Sequence, residues 1–296
     1  MEIWKIFEEF IDYLAVEKNI SNHTKANYFS DFKIFINFLI TNGIKPELET
    51  IKTKDIRKYL VHLKTEKGYE NETIRRKINS LSSFFKFASE HEYIDKNPMG
   101  PIKAPKREEK LPIYLGDKEI EEIIKATMKF GEENALRDKC FIKTLAYTGM
   151  RRQEAIKLNW EDVDFSQNII KIKFGKGKKE RLVPAPDSLI TDLWAYLQTR
   201  LPLSNQAVFI SATGNRLSPT SAQHIFKKYV KKAGLGDRGY TIHKLRHSYA
   251  SLLIQNNVDL LSVQKLLGHS DLNSTKIYTH INTNFLKEQV EKLPFK

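Results

Sequence analysis

The chain reads as mostly α-helical and two-domained, with a small antiparallel sheet set into the second domain. Three observations carry this reading. Over residues 1–102 apolar side chains recur at helical spacing. Between 103 and 112 prolines and basic residues replace that periodicity. Beyond it, helical stretches flank one run, Ile170-Lys171-Ile172-Lys173-Phe174, that alternates with a period of two. At 296 residues there is room for two domains with their own cores, and 41% hydrophobic residues is a globular composition.

In the first domain the apolar sets are Ile3, Phe7, Phe10, Leu14, then Tyr28, Phe32, Phe35, Leu39. A third is Ile56, Leu60, Leu63, and a fourth Ile74, Ile78, Leu81, Phe85. Asn19-Ile20-Ser21, Asn42-Gly43 and Lys67-Gly68 punctuate between them, with Ser21 and Asn71 as the expected caps. The expectation is a four-helix, all-α bundle. Its fourth helix carries Arg75, Arg76 and Lys77 near its start. Amide dipoles at a helix start favour anions, so this cluster suits phosphate contact, and a solvated charged face accounts for it equally well. In 103–112, Pro105 and Pro112 fall among Lys103, Lys106, Arg107 and Lys110. Proline stiffens an extended connector and basic residues can follow a phosphate backbone. The expected division is therefore a domain at 1–102, a basic linker at 103–112 and a second domain at 113–296.

A net charge of +13 points to a polyanionic partner, most simply nucleic acid, with a generically basic surface as the alternative. Cys140 is the single cysteine, which excludes an internal disulfide and any multi-cysteine zinc site. The start has no signal-peptide pattern and no apolar run is long enough to cross a bilayer, so a cytoplasmic protein with no membrane partner is expected.

In the second domain, 117–129 reads as a helix on Ile120, Ile123 and Ile124, and 135–146 as another that stops at Thr148-Gly149. A third helix starts at Arg151, with Glu154 in its first turns. Arg151 thus follows a glycine turn at a helix N-terminus, where a guanidinium can reinforce backbone amides against a phosphate; with Arg152 beside it, plain surface charge is the other reading. Val163-Asp164-Phe165, the alternating run and Arg181-Leu182-Val183-Pro184 make a small antiparallel sheet, its hairpin tipped by Gly175-Lys176-Gly177-Lys178-Lys179. From Lys171 to Arg181 there are six basic residues against one acidic, Glu180. The P-loop spacing is missing, which leaves a hairpin tip reaching into a DNA groove or to a phosphate.

Thr241 then opens a helix whose buried side is expected at Leu245, Tyr249, Leu252 and Leu253. His243 and Arg246, three apart, share a face. His243 and His247 imitate a zinc-binding helix, but Lys244 stands where a metalloprotease has its glutamate, and a cation beside a metal is a poor arrangement. Finally, 262–267 reads as a helix end stopped by Gly268, after which Ser270 or Asp271 can cap a short helix carrying Ile277 and Tyr278. His269 lies at the corner, nine residues before Tyr278. A buried structural tyrosine and a turn histidine would give the same window.

Taken together the inventory is two separated arginines, a hairpin lysine, histidines and a tyrosine, without a carboxylate cluster for Mg²⁺. For phosphoryl chemistry this set is coherent. Two guanidiniums can grip the nonbridging oxygens and stabilise a pentacoordinate transition state without a metal clamp. A tyrosine hydroxyl, with a pKa of about 10 in water, can attack phosphorus once a cationic pocket favours its oxyanion. A lysine can protonate the departing 5′ oxygen.

At this point the chain resembles the tyrosine recombinase family, or phage-type integrases, and is most similar to the compact Xer-like members. The resemblance covers almost the whole length. It rests on Thr148-Gly149-Met150-Arg151-x-x-Glu154, the hairpin from Gly175 to Arg181, His243-x-x-Arg246, Leu267-Gly268-His269, and Tyr278. The N-terminal part resembles the family's SAM-like core-binding domain and the rest its catalytic domain. The resemblance implies that Arg151 and Arg246 bind the phosphate, Lys176 is the general acid and His243 assists proton transfer at the tyrosine. It further implies that His269 bonds the scissile phosphate and Tyr278 forms a 3′-phosphotyrosyl bond. Lys178 and Lys179 compete with Lys176 for the lysine role. No ATP, metal or other cofactor is implied. Strands would be exchanged through a Holliday junction by a homo-oligomer on double-stranded DNA. That assembly would be a tetramer in the synaptic complex, alone or with a paralogous recombinase. Leu286, Val290 and Leu293 form a tail stripe that the resemblance implies docks on a neighbouring protomer. Met150, Arg152 and Gln153 depart from the residues more usual there.

Overall fold

A computed structural model describes residues 3–106, 113–173 and 180–268. The chain falls into two compact units, Met1–Lys110 and Leu111–Lys296. Among the described residues both are dominated by helices, and the second holds a three-stranded sheet.

The first unit contains α1 (Ile3–Glu17), α2 (Asn22–Thr41), α3 (Thr53–Thr65) and α4 (Asn71–Glu90). The apolar sets of the sequence lie inward: Phe7, Phe10, Phe32, Phe35, Ile56, Ile78 and Phe85 are all buried. α4 packs on α1, α2 and α3. Phe7 and Phe32 stack at 3.8 Å, and Phe84 meets both edge-on. Each such ring removed from water contributes about 1.5–3 kcal/mol, so this aromatic centre fixes how the helices meet. Ser21 caps α2 by accepting the Thr24 N–H at 3.1 Å. The second expected cap is displaced by one residue. Glu70 is the N-cap of α4, and Asn71 is its first helical residue, accepting a hydrogen bond from Lys64 Nζ.

The second unit begins with α5 (Asp117–Phe130), α6 (Ala135–Thr148) and α7 (Arg152–Lys157). β1 (Val163–Asp164), β2 (Ile169–Ile172) and β3 (Arg181–Pro184) pair antiparallel in that order, with Ile170 opposite Val183 and Ile172 opposite Arg181. Ile170, Ile172 and Val183 face the core, as the period-two pattern requires. α8 (Asp187–Gln198) and α9 (Pro219–Lys232) follow, then α10 (Ile242–Gln255) and α11 (Leu260–Leu267).

α6 is the central element, in contact with α5, α7, α8 and α10. Its burial extends nearly all round, from Cys140 to Thr148, and even Lys143 is buried, donating to Asp192 at 2.6 Å and to the Ser188 carbonyl at 2.8 Å. Burial, with the Asp192 charge behind it, pushes the Cys140 thiol up to about 12, so this cysteine is a core residue and not a nucleophile. α10 departs from its expected face. Leu245 is buried, but Tyr249, Leu252 and Leu253 are only partly so, while Ser248, Ala250 and Ser251 are buried. The helix is contacted by α6, α9 and α11 together, and small residues let those neighbours approach.

Candidate active site

Two left-handed glycine turns underlie the site. Gly149 ends α6 at φ 61° and Gly268 ends α11 at φ 65°. At Gly149 a Cβ would lie 2.3 Å from Cδ1 of Tyr249 on α10, so glycine is required by contact as well as by conformation. Arg246, one turn earlier on α10, donates from Nη1 to the Gly149 carbonyl and from Nη2 to the Leu267 carbonyl, each at 2.7 Å. One guanidinium thus fastens two helix C-termini, where carbonyls lack helical partners. Neutral carbonyls orient that guanidinium without cancelling its charge.

Arg151 stands two residues beyond Gly149, as the N-cap of α7. Its backbone N–H donates to Glu154 Oε2 at 2.7 Å and its Nη1 to Glu154 Oε1 at 2.9 Å. Arg181, from β3, meets the same carboxylate through Nη1 and Nη2 at 3.0 and 2.7 Å. Burial works to raise the Glu154 carboxyl, but the bonds from Arg181 and Arg151 outweigh it and hold the pKa at about 2. Glu154 is therefore an anion across the working pH range. Two guanidiniums around one carboxylate leave the trio with one net positive charge. Arg151 keeps 34% of its side chain exposed against 13% for Arg181, so Arg151 is the member offered to solvent.

His243 lies one turn before Arg246 and is exposed. The protein packed around its ring, and then the charge of Arg152, lower its pKa, which leaves the imidazole neutral near pH 7 and able to take a proton. His247 is lowered likewise, by burial first and then by Lys244, Arg246 and His243.

Of the six catalytic candidates, Arg151, His243 and Arg246 are described, and Gly149 joins the first to the third. Lys176, His269 and Tyr278 lie outside the described residues, as do Arg107, Lys178, Lys179 and the tail stripe. Of the hairpin's described lysines, Lys171 pairs with Glu180 at 2.8 Å and Lys173 with Asp162 at 2.6 Å and Glu161 at 2.8 Å. The residue missed by sequence reasoning is Arg181. A signal was present: it lies two positions from core Val183 on the same strand, so its side chain starts from the buried face.

The basic start of α4 needs correction. Lys77 is buried and its Nζ donates to Asp31 Oδ1 at 2.8 Å, so it is an internal cation and not a phosphate contact. Asp31, itself buried, also accepts from Arg76 and, at 2.8 Å, from Ser80. Arg76 remains 46% exposed. Arg75 donates to the Pro105 carbonyl, and Ile102 and Ala104 pack on the first unit's core, so the start of the proline-rich stretch adheres to that unit. Lys103 and Lys106 are exposed.

A carboxylate-ordered arginine and a carbonyl-ordered arginine thus meet at glycine turns in a helix-rich unit, an arrangement suited to gripping a phosphate. Comparison with known proteins agrees. Residues 114–284 match the phage integrase family and residues 7–92 match the N-terminal SAM-like domain of phage integrases. Tyrosine recombinase XerD of Staphylococcus epidermidis is 36% identical over 97% of this chain and 96% of its own length. Tyrosine recombinase XerC of Bacillus subtilis is 33% identical over 94% and 92%. A structure of the XerH site-specific recombinase bound to its difH substrate, a post-cleavage complex, superposes with TM-score 0.78 at 26% identity, over 93% of this chain and 81% of that one. The chain belongs to the phage integrase family, the tyrosine recombinases, and is Xer-like within it. It is a site-specific recombinase, an enzyme that breaks and rejoins DNA strands.

Proposed function

We propose that Tyr278 is the nucleophile of this recombinase and that Arg151 and Arg246 clamp the scissile phosphate. Tyr278 attacks phosphorus, the 5′ oxygen leaves, and a 3′-phosphotyrosyl bond conserves the energy of the broken phosphodiester for the rejoining step. Lys176 protonates the leaving oxygen, His243 handles the tyrosine proton and His269 bonds a nonbridging oxygen. The observation that carries this reading is the bridge made by Arg246 between the Gly149 and Leu267 carbonyls. It draws together the segment holding Arg151 and the chain just before His269. No carboxylate clamp for a metal is needed, because the two guanidiniums supply the charge that a transition state with an extra negative charge demands.

Both units bind duplex DNA, with 103–112 as the connector and Arg75, Arg76, Lys103, Lys106, Arg107, Lys178 and Lys179 as backbone contacts. A tetramer on two sites exchanges strands pairwise through a Holliday junction, alone or with a paralogous recombinase, in the cytoplasm. Near full-length likeness to XerD and XerC supports chromosome dimer resolution as the setting. Integration or excision of a mobile element uses the same chemistry. The decisive experiment is a nicked suicide duplex carrying the recombination site. Wild type accumulates a covalent protein–DNA adduct and Tyr278→Phe forms none. An adduct with Tyr278→Phe, or none with wild type, overturns the mechanism.

A further inference from the structure

The described contacts around the site close into a ring. Arg246 holds the Gly149 carbonyl; Gly149 leads to Arg151; Arg151 and Arg181 share Glu154; and Arg181 lies against Gly268, whose neighbour Leu267 returns a carbonyl to Arg246. At Gly268 an added Cβ would fall 2.8 Å from Arg181 Cδ and 3.1 Å from its Nε. That approach is closer than real side chains tolerate, so the turn is seated directly on the Arg181 stem. Arg181 is thus the only member of this ring supplied by the sheet. It is bidentate on Glu154, mostly buried, and Nε is itself buried without a partner.

We propose that Arg181 is a positioning residue that sets the relation between the two phosphate-binding guanidiniums, Arg151 and Arg246. It acts on Arg151 by occupying the other edge of Glu154, which leaves Arg151 tied mainly through Nη1 and aimed outward. It acts on Arg246 by supporting the Gly268 turn, which fixes the Leu267 carbonyl that Arg246 Nη2 grips. Remove the fork and Glu154 is free to take Arg151 inward, while the turn loses its seat. Lysine keeps the charge but not the planar two-point grip, so it restores only part of the arrangement. Misplacement by about 1 Å of a group that acts in the transition state can cost on the order of 10²-fold in rate.

The inference rests on the phosphate-clamp reading, and the test separates the two. Single-turnover adduct formation is measured for the full chain on suicide duplexes with either an ordinary phosphodiester or a methylphosphonate at the scissile position. The methyl group removes one anionic oxygen and with it part of the demand for paired guanidiniums. Arg181→Met is expected to slow phosphodiester cleavage on the order of 10²-fold with DNA affinity roughly unchanged, and Arg181→Lys about tenfold. On methylphosphonate the Arg181→Met deficit shrinks markedly, as it also does for Arg151→Ala and Arg246→Ala. If the deficit of Arg181→Met is the same on both linkages while those of the two alanine variants shrink, Arg181 is merely structural and the inference fails. If none of the three deficits shrinks, it is the clamp reading that fails. Should Arg181→Met not fold, Arg181→Lys, which keeps the charge but not the two-point grip, is read in the same way.

Discussion

Each unit holds a buried carboxylate between two cations, and the two arrangements differ in what stands beside them. In the first unit Asp31 takes Lys77, Arg76 and Ser80, and Lys77 has 3% of its side chain exposed. The lysine's charge is consumed inside the bundle. In the second unit Glu154 also gathers two cations, and Arg151, like Arg76 in the first, stays partly exposed, so both trios carry one net positive charge. Beside it Arg246 is oriented by carbonyls, which hold a guanidinium without neutralising it. A basic cluster is thus functional or structural according to what holds it. Within each trio the buried cation, Lys77 or Arg181, is structural, and the exposed guanidinium, Arg76 or Arg151, is the one left to meet an anion.

The largest expected effect tests the second arrangement. Arg151→Ala or Arg246→Ala should slow single-turnover cleavage on the order of 10³-fold, while gel-shift affinity changes far less, because the pair works mainly on charge that develops in the transition state. Equal losses in cleavage and binding would reduce these arginines to ordinary DNA contacts and dissolve the contrast with Lys77.

The first arrangement breaks differently. Asp31→Ala strands Lys77 in the bundle interior, and removing one partner of a buried pair costs about 4 kcal/mol. Urea denaturation of the full chain should register that loss, and adding Lys77→Met should recover most of it, since an apolar replacement of both charges is tolerated. A loss under about 1 kcal/mol, the scale of surface pairs, would mean that Asp31 and Lys77 are not a core pair.

Glu154 provides a pH handle on the same contrast. Its folded-state pKa of about 2 lies below the ordinary 4.5, so its contribution is complete above 4.5 and is lost as pH falls from there through about 2. The shift corresponds to at most roughly 3 kcal/mol. The stability gap between wild type and Glu154→Gln, followed by denaturant titration, should narrow over that window. A gap constant from pH 5 to pH 2 would show that the carboxylate is not what joins Arg151 to Arg181.

These pairings also mark where the sequence stops being readable. The four helices of the first unit follow from local spacing, and so do the Gly149 and Gly268 stops and the inward face of β2. α8 and α9 carry comparable apolar spacing, at Leu189, Ile190, Leu193, Tyr196 and at Ala222, Ile225, Phe226, Tyr229, but no helix is among the sequence expectations for either stretch. The recombinase motifs make Arg151, His243 and Arg246 legible because each sits at a turn or one helical turn from another. Lys77 is not legible as an internal cation because its partner lies 46 residues away, and the role of Arg181 is hidden because Glu154 lies 27 residues away. Periodicity reports which face of an element is buried, but not which distant carboxylate waits there.

The smallest effect concerns His243, whose lowered pKa has a secondary cause in Arg152. Arg152 is tied by Nη1 to Gln223 of α9 at 3.3 Å, so its charge is held near the start of α10. Arg152→Gln removes a positive charge that opposes protonation of the imidazole. The His243 pKa should therefore rise, as followed by the ring-proton resonances, and the acid limb of the cleavage-rate profile should move to higher pH with it. Desolvation by the protein packed around the ring, the larger cause, is untouched, so the displacement stays modest. If the resonances move and the rate profile does not, His243 is outside the proton path of cleavage. If neither moves, Arg152 does not act on this histidine, and the positive charge that matters at the site is confined to Arg151 and Arg246.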